Sequence, residues 1–524
     1  MHGTSRPPAR PSMPPSIERL SDDSLYAIFE LLRSWISFPG EGDVPCLRRP
    51  ARTINRDGNK KEMPLWTTPI VLSHVCTRWR AFVLASPRLW NFIRVTGSFP
   101  NRIMLHHFIE RSQKCPLSIL LTVPESKNTH VQAAMLVYDL LAVSSEIGDH
   151  GERIRELAVV LPSSASRLVL EDLAQSALPN LQKLWLDIIR GSQGGGEPVS
   201  LLNINPLSMR VFRMTGMTID WLPFEGLVHL ELCDGSAPTL PALLYTLRKS
   251  PRLEILKLQI YRSYSEDSVT TRELPVNLPH LRTLCLTEYN GNNGAFAILP
   301  HISFPLTTEI GLHSAGRLPP DLCENESLRQ ISSTVDRADL FLEPPERVLI
   351  KTDDPSIAMT YPGVFHNYHD HFPWNTRLDP RLCEGFLAVA FPALLELSIF
   401  AVEVDSLRGV VSQEHFDLLF SVVPTITHLR LHIDPAYLPA IALALSTIEG
   451  EGNEGGDLRC PKLRQWAITW SREPSIDDYW LVERCCATRA AASVPVEELE
   501  TTAVPEIVLD NLQQAVGNIL VLEG

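Results

Sequence analysis

The sequence predicts a mixed α/β chain, in which a small N-terminal module of three helices leads into an irregular solenoid of short strands. Three observations carry this. Apolar residues between Ser21 and Ile93 recur at helical spacing. From Ile154 onward a shorter pattern, apolar-x-x-apolar-x-apolar, returns many times at similar steps. The third is proline: 42 of 524 residues, about 8% against an average of ~5%, in a chain that is 44% hydrophobic. That much proline favours many short elements, and that much apolar surface excludes a disordered chain.

Residues 1–16 are rich in proline and serine with little to bury, and should form a disordered tail. The helical module is placed at 17–95. Its first helix starts at Ser21, a good N-cap, with Asp22 and Asp23 where the helix dipole favours negative charge. Leu25, Ile28, Phe29 and Leu32 lay an apolar stripe along it. Residues 38–68 lose all periodicity and read as a flexible insertion. It holds Arg48, Arg49, Arg52, Arg56, Lys60 and Lys61, which suit a solvated loop, with a nuclear-import or phosphate-binding patch as the second reading. Pro69 fits the first turn of the second helix, whose stripe is Leu72, Val75, Trp79, Phe82 and Val83. Ser86-Pro87 ends that helix and starts a third, serine as N-cap and proline at the first position, with Leu89, Trp90 and Ile93 buried.

Residues 96–150 should connect the module to the repeats: a helix over 101–113 with Ile103, Met104, His107, Phe108 and Arg111 on one face, then a strand in 115–123. His106 and His107 read as packing or surface residues. The repeat region is placed at 151–498. Its pattern appears at Ile154-Leu157-Val159, Leu181-Leu184-Leu186, Met209-Phe212-Met214, Leu227-Leu230-Leu232, Leu253-Leu256-Leu258, Leu281-Leu284-Leu286 and, weakly, Thr307-Ile310-Leu312. The steps between first anchors are 27, 28, 18, 26, 28 and 26 residues. Two apolar positions two apart put both side chains on one face of a short strand, and units too small to bury that face alone must stack. Between 313 and 390 only Leu328-Ile331 and Val348-Ile350 are candidates. The pattern then returns at Leu394-Leu397-Ile399, Ile426-Leu429-Leu431 and Leu463-Trp466-Ile468, with longer steps that hold extra helices such as HFDLLFSVV. Residues 499–524 should supply a closing strand or cap.

This spacing resembles the leucine-rich repeat, whose period is ~20–29 residues. The family's Asn or Cys after the last strand leucine is absent: Ile189, Gly235, Tyr261 and Tyr289 stand there. The turns should therefore be uneven.

Charge narrows the partners. With 61 acidic against 47 basic residues the chain carries a formal −14, which argues against nucleic-acid and membrane-surface binding, since both need a positive field. The ten cysteines include no C-x-x-C pair and mostly sit in apolar runs, which reads as buried thiols in a reducing compartment. The first residues lack the apolar stretch of a signal peptide, so a cytoplasmic or nuclear protein is expected. For catalysis the sequence offers only His366, His369, Asp370 and His371 in FHNYHDHFPW, a cluster that reads first as a surface feature and second as metal ligands. No nucleotide or hydrolase signature occurs, and no cofactor is expected.

The opening module resembles the F-box. That family reads leucine–proline, then D-x-L-x-x-I-F, V-C-x-x-W-R and S-P-x-L-W; here stand Leu20-Ser21, Asp23/Leu25/Ile28/Phe29, Val75–Arg80 and Ser86–Trp90. The whole architecture is similar to the F-box proteins of mushroom-forming fungi with a leucine-rich-repeat-like region behind the box. The resemblance implies docking to a Skp-type adaptor, and through it to a cullin, in an SCF-type ubiquitin ligase, with the repeats holding a substrate protein. Carried over by position, the adaptor contacts are Leu20, Leu25, Ile28, Phe29, Val75, Trp79, Leu89 and Trp90, although core packing is the competing role, above all for Trp90. Ser21 stands where the family has proline; it keeps the cap and gives up an apolar contact. Two other readings follow from the residues themselves: a protein-binding scaffold whose box recruits no ligase, and a metal-dependent enzyme using His366, His369 and His371.

Overall fold

A computed structural model describes residues 20–34, 68–96, 101–122, 148–189, 204–216, 220–235, 238–260, 275–288, 294–314, 318, 322–343, 347–352, 357–362, 389–401, 413–447, 458–502 and 504–522. The expected tail at 1–16, most of the insertion at 38–68 with its basic run, and the histidines at 366–371 lie outside them. The protein is mixed α/β with a large, mainly parallel sheet, and the described strands form no closed barrel. It divides into two compact units, residues 1–195 with 199–208, and residues 196–198 with 209–524.

The first unit opens with helices α1 (Asp22–Ser34), α2 (Thr68–Ser73) and α3 (Thr77–Ala85). The expected helix from Pro69 to Val83 is broken in two. His74 and Val75 form a turn, and Cys76 starts α3 as its N-cap, its Sγ accepting from Trp79 N at 3.4 Å. The expected third helix is also corrected: Pro87–Trp90 is a single 3-10 turn, the Ser86 side chain makes no capping bond, and the chain enters strand β1 (Phe92–Thr96) at once. Ile93 is thus a strand residue. Helix α4 (Asn101–Arg111) leads to β2 (Leu117–Thr122), and β3 (Ile154–Pro162), α5 (Ser163–Gln175) and β4 (Lys183–Ile189) follow. These strands pair in parallel, β1–β2–β3–β4. The face α4 buries is Leu105, Phe108 and Ile109, with Ser112 buried just past its end, while Ile103 is exposed, so of the expected stripe only Phe108 is buried. His106 and His107 are both exposed.

The second unit contains β5 (Val211–Thr215), β6 (His229–Gly235), α6 (Leu240–Arg248), β7 (Ile255–Ile260), β8 (Val276–Asn277), β9 (Thr283–Glu288), β10 (Ile302–Ser303) and β11 (Glu309–Ser314). It continues with α7 (Glu326–Ser332), β12 (Arg337–Glu343), β13 (Arg347–Lys351), β14 (Ile357–Pro362), β15 (Glu396–Ala401), α8 (Gln413–Val422), β16 (His428–Ile433) and α9 (Leu438–Ser446). Strand β17 (Gln465–Trp470), α10 (Ile476–Ala491), β18 (Glu498–Thr502), α11 (Glu506–Ala515) and β19 (Asn518–Leu522) complete it. The main sheet runs β5-β6-β7-β9-β11-β14-β13-β12-β15-β16-β17-β18-β19. Within it β13 alone is antiparallel, so β13 and β14 form a meander wedged between two parallel stretches. The short strands β8 and β10 pair separately.

Register explains the recurring pattern. Leu157 faces Leu184, Phe212 faces Leu230, Leu256 faces Leu284, Leu284 faces Ile310, Leu397 faces Leu429, and Leu429 faces Trp466, so equivalent anchors lie side by side. All of these anchors are buried. A hydroxyl just before the first anchor often bonds the neighbouring unit: Ser208 donates to Leu181 O, and Thr425 to Leu394 O. At the weak copy Thr307 is exposed and Thr308 does this work, donating to Leu281 O at 2.9 Å. Of the loose candidates, Leu328 and Ile331 lie in α7, and Ile350 lies on the antiparallel β13. A further copy, Val335-Ala338-Leu340, leads into and through β12 with all three side chains fully buried. At the C-terminal end, α8, α9, α10 and α11 pack one against the next, and β18, α11 and β19 add a further strand–helix–strand step, with β19 as the closing strand expected within 499–524.

Candidate docking surface

The helical module of the first unit is held by bonds between its ends. Ser21 caps α1: Ser24 N donates to Ser21 Oγ at 3.1 Å and Leu25 N to Ser21 O at 2.9 Å. Arg78 reaches back from α3 and donates to Leu20 O at 2.6 Å and Asp22 Oδ1 at 2.8 Å. Arg80 Nε donates to Ser73 O at 3.0 Å, tying α3 to the end of α2. Two arginines of the V-C-x-x-W-R stretch thus act as clamps, a role the sequence alone did not suggest beyond their flanking the stripe.

The eight expected contact residues separate into three groups. Leu25, Phe29, Trp79, Leu89 and Trp90 are buried within the chain itself. Phe29 meets Trp79 edge to face, centroids 5.0 Å apart, and Phe82 at 5.9 Å. Burying side chains of this size stabilises by about 1.5–3 kcal/mol each, so these residues build the module first. Trp90 donates from Nε1 to Val83 O at 2.8 Å, packs on Phe108 at 5.1 Å and lies under the Arg111 guanidinium at 4.7 Å. That is a core residue, as its competing role had it. Leu20 is half-buried. Only Ile28, 37% exposed, and Val75, 53% exposed, present substantial apolar surface, and Val71 at 40% and Leu84 at 41% join them although the sequence did not mark them.

One further feature stands out. The Trp79 indole N–H is buried and has no acceptor among the described residues; a buried donor left unbonded costs about 1–3 kcal/mol. Cysteine chemistry is mostly quiet: burial pushes the Cys460 thiol up to about 12 and Cys486 well above its usual value. Cys285 departs from the expectation of thiols throughout, since it is disulfide-bonded. Among the described residues no group of three or more His, Cys, Asp or Glu could hold a metal, and no helix is long and apolar enough to cross a membrane. In comparisons with known proteins, no family model matches the chain and no curated protein sequence matches it.

Proposed function

We propose that this chain is the substrate-recognition adaptor of an SCF-type ubiquitin ligase. Its helical module docks to a Skp-type adaptor, and its irregular leucine-rich-repeat-like solenoid receives a substrate protein. The observation that carries the reading is the pairing of two specific motifs, Val75–Arg80 and Ser86–Trp90, with exposed Ile28, Val71, Val75 and Leu84 on the helical module they help to fix. Exposed apolar side chains on a small module suit a partner surface, and a stack of parallel strands suits extended protein recognition. The protein is non-catalytic in this reading and works in the cytoplasm or nucleus. Mixing the purified chain with a Skp-type adaptor and following co-elution on size exclusion tests it; separate elution, with the module shown folded by hydrogen exchange, contradicts it.

A second reading, a scaffold that recruits no ligase, is favoured by Ser21. Replacing it by proline restores the family's residue. A gain in adaptor affinity of tenfold or more, ~1.4 kcal/mol, would mark the native contact as weakened. The metal-dependent alternative at His366, His369 and His371 predicts bound metal in elemental analysis of the purified chain, and its absence there would exclude it.

A further inference from the structure

Three rings stack across neighbouring strands of the second unit. Phe341 on β12 lies 4.5 Å from Phe400 on β15 with 10° between their planes, and Phe400 lies 4.5 Å from His432 on β16 with 5°. The strands run parallel and in register, Phe341 opposite Phe400 and Phe400 opposite His432. The ring separation follows, since adjacent strands sit ~4.8 Å apart. Lys351 on β13 places its Nζ 4.9 Å from the centre of the Phe341 ring. The other face of these strands carries Ala338, Leu340, Leu397, Ile399, Leu429 and Leu431, all buried. The buried anchors thus lie on one face of these strands, and the three rings stand half-buried on the other.

The charges around the rings have a sign. Among the described side chains of β12, β13, β15 and β16 on this face, Arg337, Lys351 and Arg430 oppose Asp339 and Glu396. Glu396, largely covered, accepts from Arg337 at 2.6 Å and Arg430 at 2.9 Å, and both guanidinium groups remain about half exposed. On a chain of net charge −14, this is a local cationic surplus around an aromatic strip. Aromatic and arginine side chains together are the usual composition of binding hot spots, and rim charge selects the partner's sign.

We infer that the Phe341–Phe400–His432 strip recognises an extended acidic segment of a partner protein, whose apolar side chains lie on the rings and whose carboxylates meet Arg430 and Lys351. This rests on the reading of the second unit as the substrate receptor. A fluorescein-labelled peptide alternating Glu with Leu and Trp, titrated against the full-length chain by anisotropy, tests it beside the same peptide carrying Lys for Glu. The acidic peptide should bind and the basic one should not. Phe400→Ala should weaken binding about tenfold or more. In case that variant unfolds, Arg430→Glu and Lys351→Glu alter exposed positions; each should weaken the acidic peptide, and together they should admit the basic one. Equal binding of both peptides, no binding of the acidic one to folded protein, or unchanged affinity in the charge variants would overturn the inference. Adaptor binding measured on the same samples separates the two proposals: losing it while peptide binding persists removes the ligase reading and leaves the strip standing.

Discussion

Arg78 donates to the backbone carbonyl of Leu20 at 2.6 Å, joining residues 58 positions apart on either side of the long insertion. The same guanidinium meets Asp22, so the start of α1 is set by α3 and not by its own sequence alone. With side chains 40% and 67% exposed, the ion pair itself is worth at most about 1 kcal/mol. Its effect is on local order. Arg78→Ala should leave global stability within about 1 kcal/mol of the parent while hydrogen exchange at the Leu25 amide accelerates. Unchanged exchange at that amide would remove Arg78 as the clamp.

Arg489 should matter far more to stability. It is fully buried and donates to Leu445 O at 3.1 Å, Arg459 O at 3.0 Å and Cys460 O at 2.7 Å. These bonds fasten α10 to the end of α9 and to the loop before β17, where Cys460 takes a left-handed backbone. Arg489→Met leaves two buried carbonyls and one partly buried one without that donor and should cost about 3 kcal/mol in urea unfolding. Arg489→Lys, with a point charge in place of a fork, should recover only part of it. A methionine variant as stable as the parent would contradict this role.

Glu231 predicts a pH dependence. Burial pushes its carboxyl up, but the His229 hydrogen bond and the charges of Arg213, Lys257 and His229 outweigh it, leaving the carboxyl below its usual range. Arg213 lies at 3.1 Å, His229 at 3.3 Å and Lys257 at 3.9 Å. A folded pKa below the unfolded one adds stability above the unfolded value, ~4.3, which is lost as pH falls through the folded value. Glu231→Gln should therefore lower Tm at pH 7, and the gap to the parent should close as the pH drops below about 4. A gap independent of pH would refute the charge-based account.

Thiol labelling checks the cysteine assignments. Cys76, Cys115 and Cys233, half-buried, should react in the native protein before Cys460, Cys485 and Cys486, whose burial holds them as thiols. Cys285 should label only after reduction. Early native labelling of Cys460 would overturn the order.

The parallel sheet was legible because its signal is periodic. Anchors such as Leu157, Leu184, Phe212 and Leu230 repeat a spacing that only stacked strands require, and register places them side by side. The copy at Val335-Ala338-Leu340 is faint in the sequence because alanine is a weak hydrophobic marker, although it is fully buried. The break at His74-Val75 has no glycine or proline to announce it; the Cys76 cap makes it. Phe92–Thr96 followed a helical stripe so closely that Ile93 read as its continuation, and only pairing with Leu117–Thr122 defines it as a strand. The candidate docking surface was the least legible part: the motif positions do not separate core from surface, since the same apolar letters serve Phe29, which is buried, and Val75, which is not.

The most direct test of the central claim is calorimetric titration of the Skp-type adaptor into the full chain and into its Val75→Asp variant. Val75 is exposed, so the variant should fold as the parent does. Binding by the parent, weakened about 100-fold (~2.8 kcal/mol) in the variant, is the predicted result. A folded parent that releases no heat and forms no complex, or a variant that binds as tightly as the parent, would contradict it.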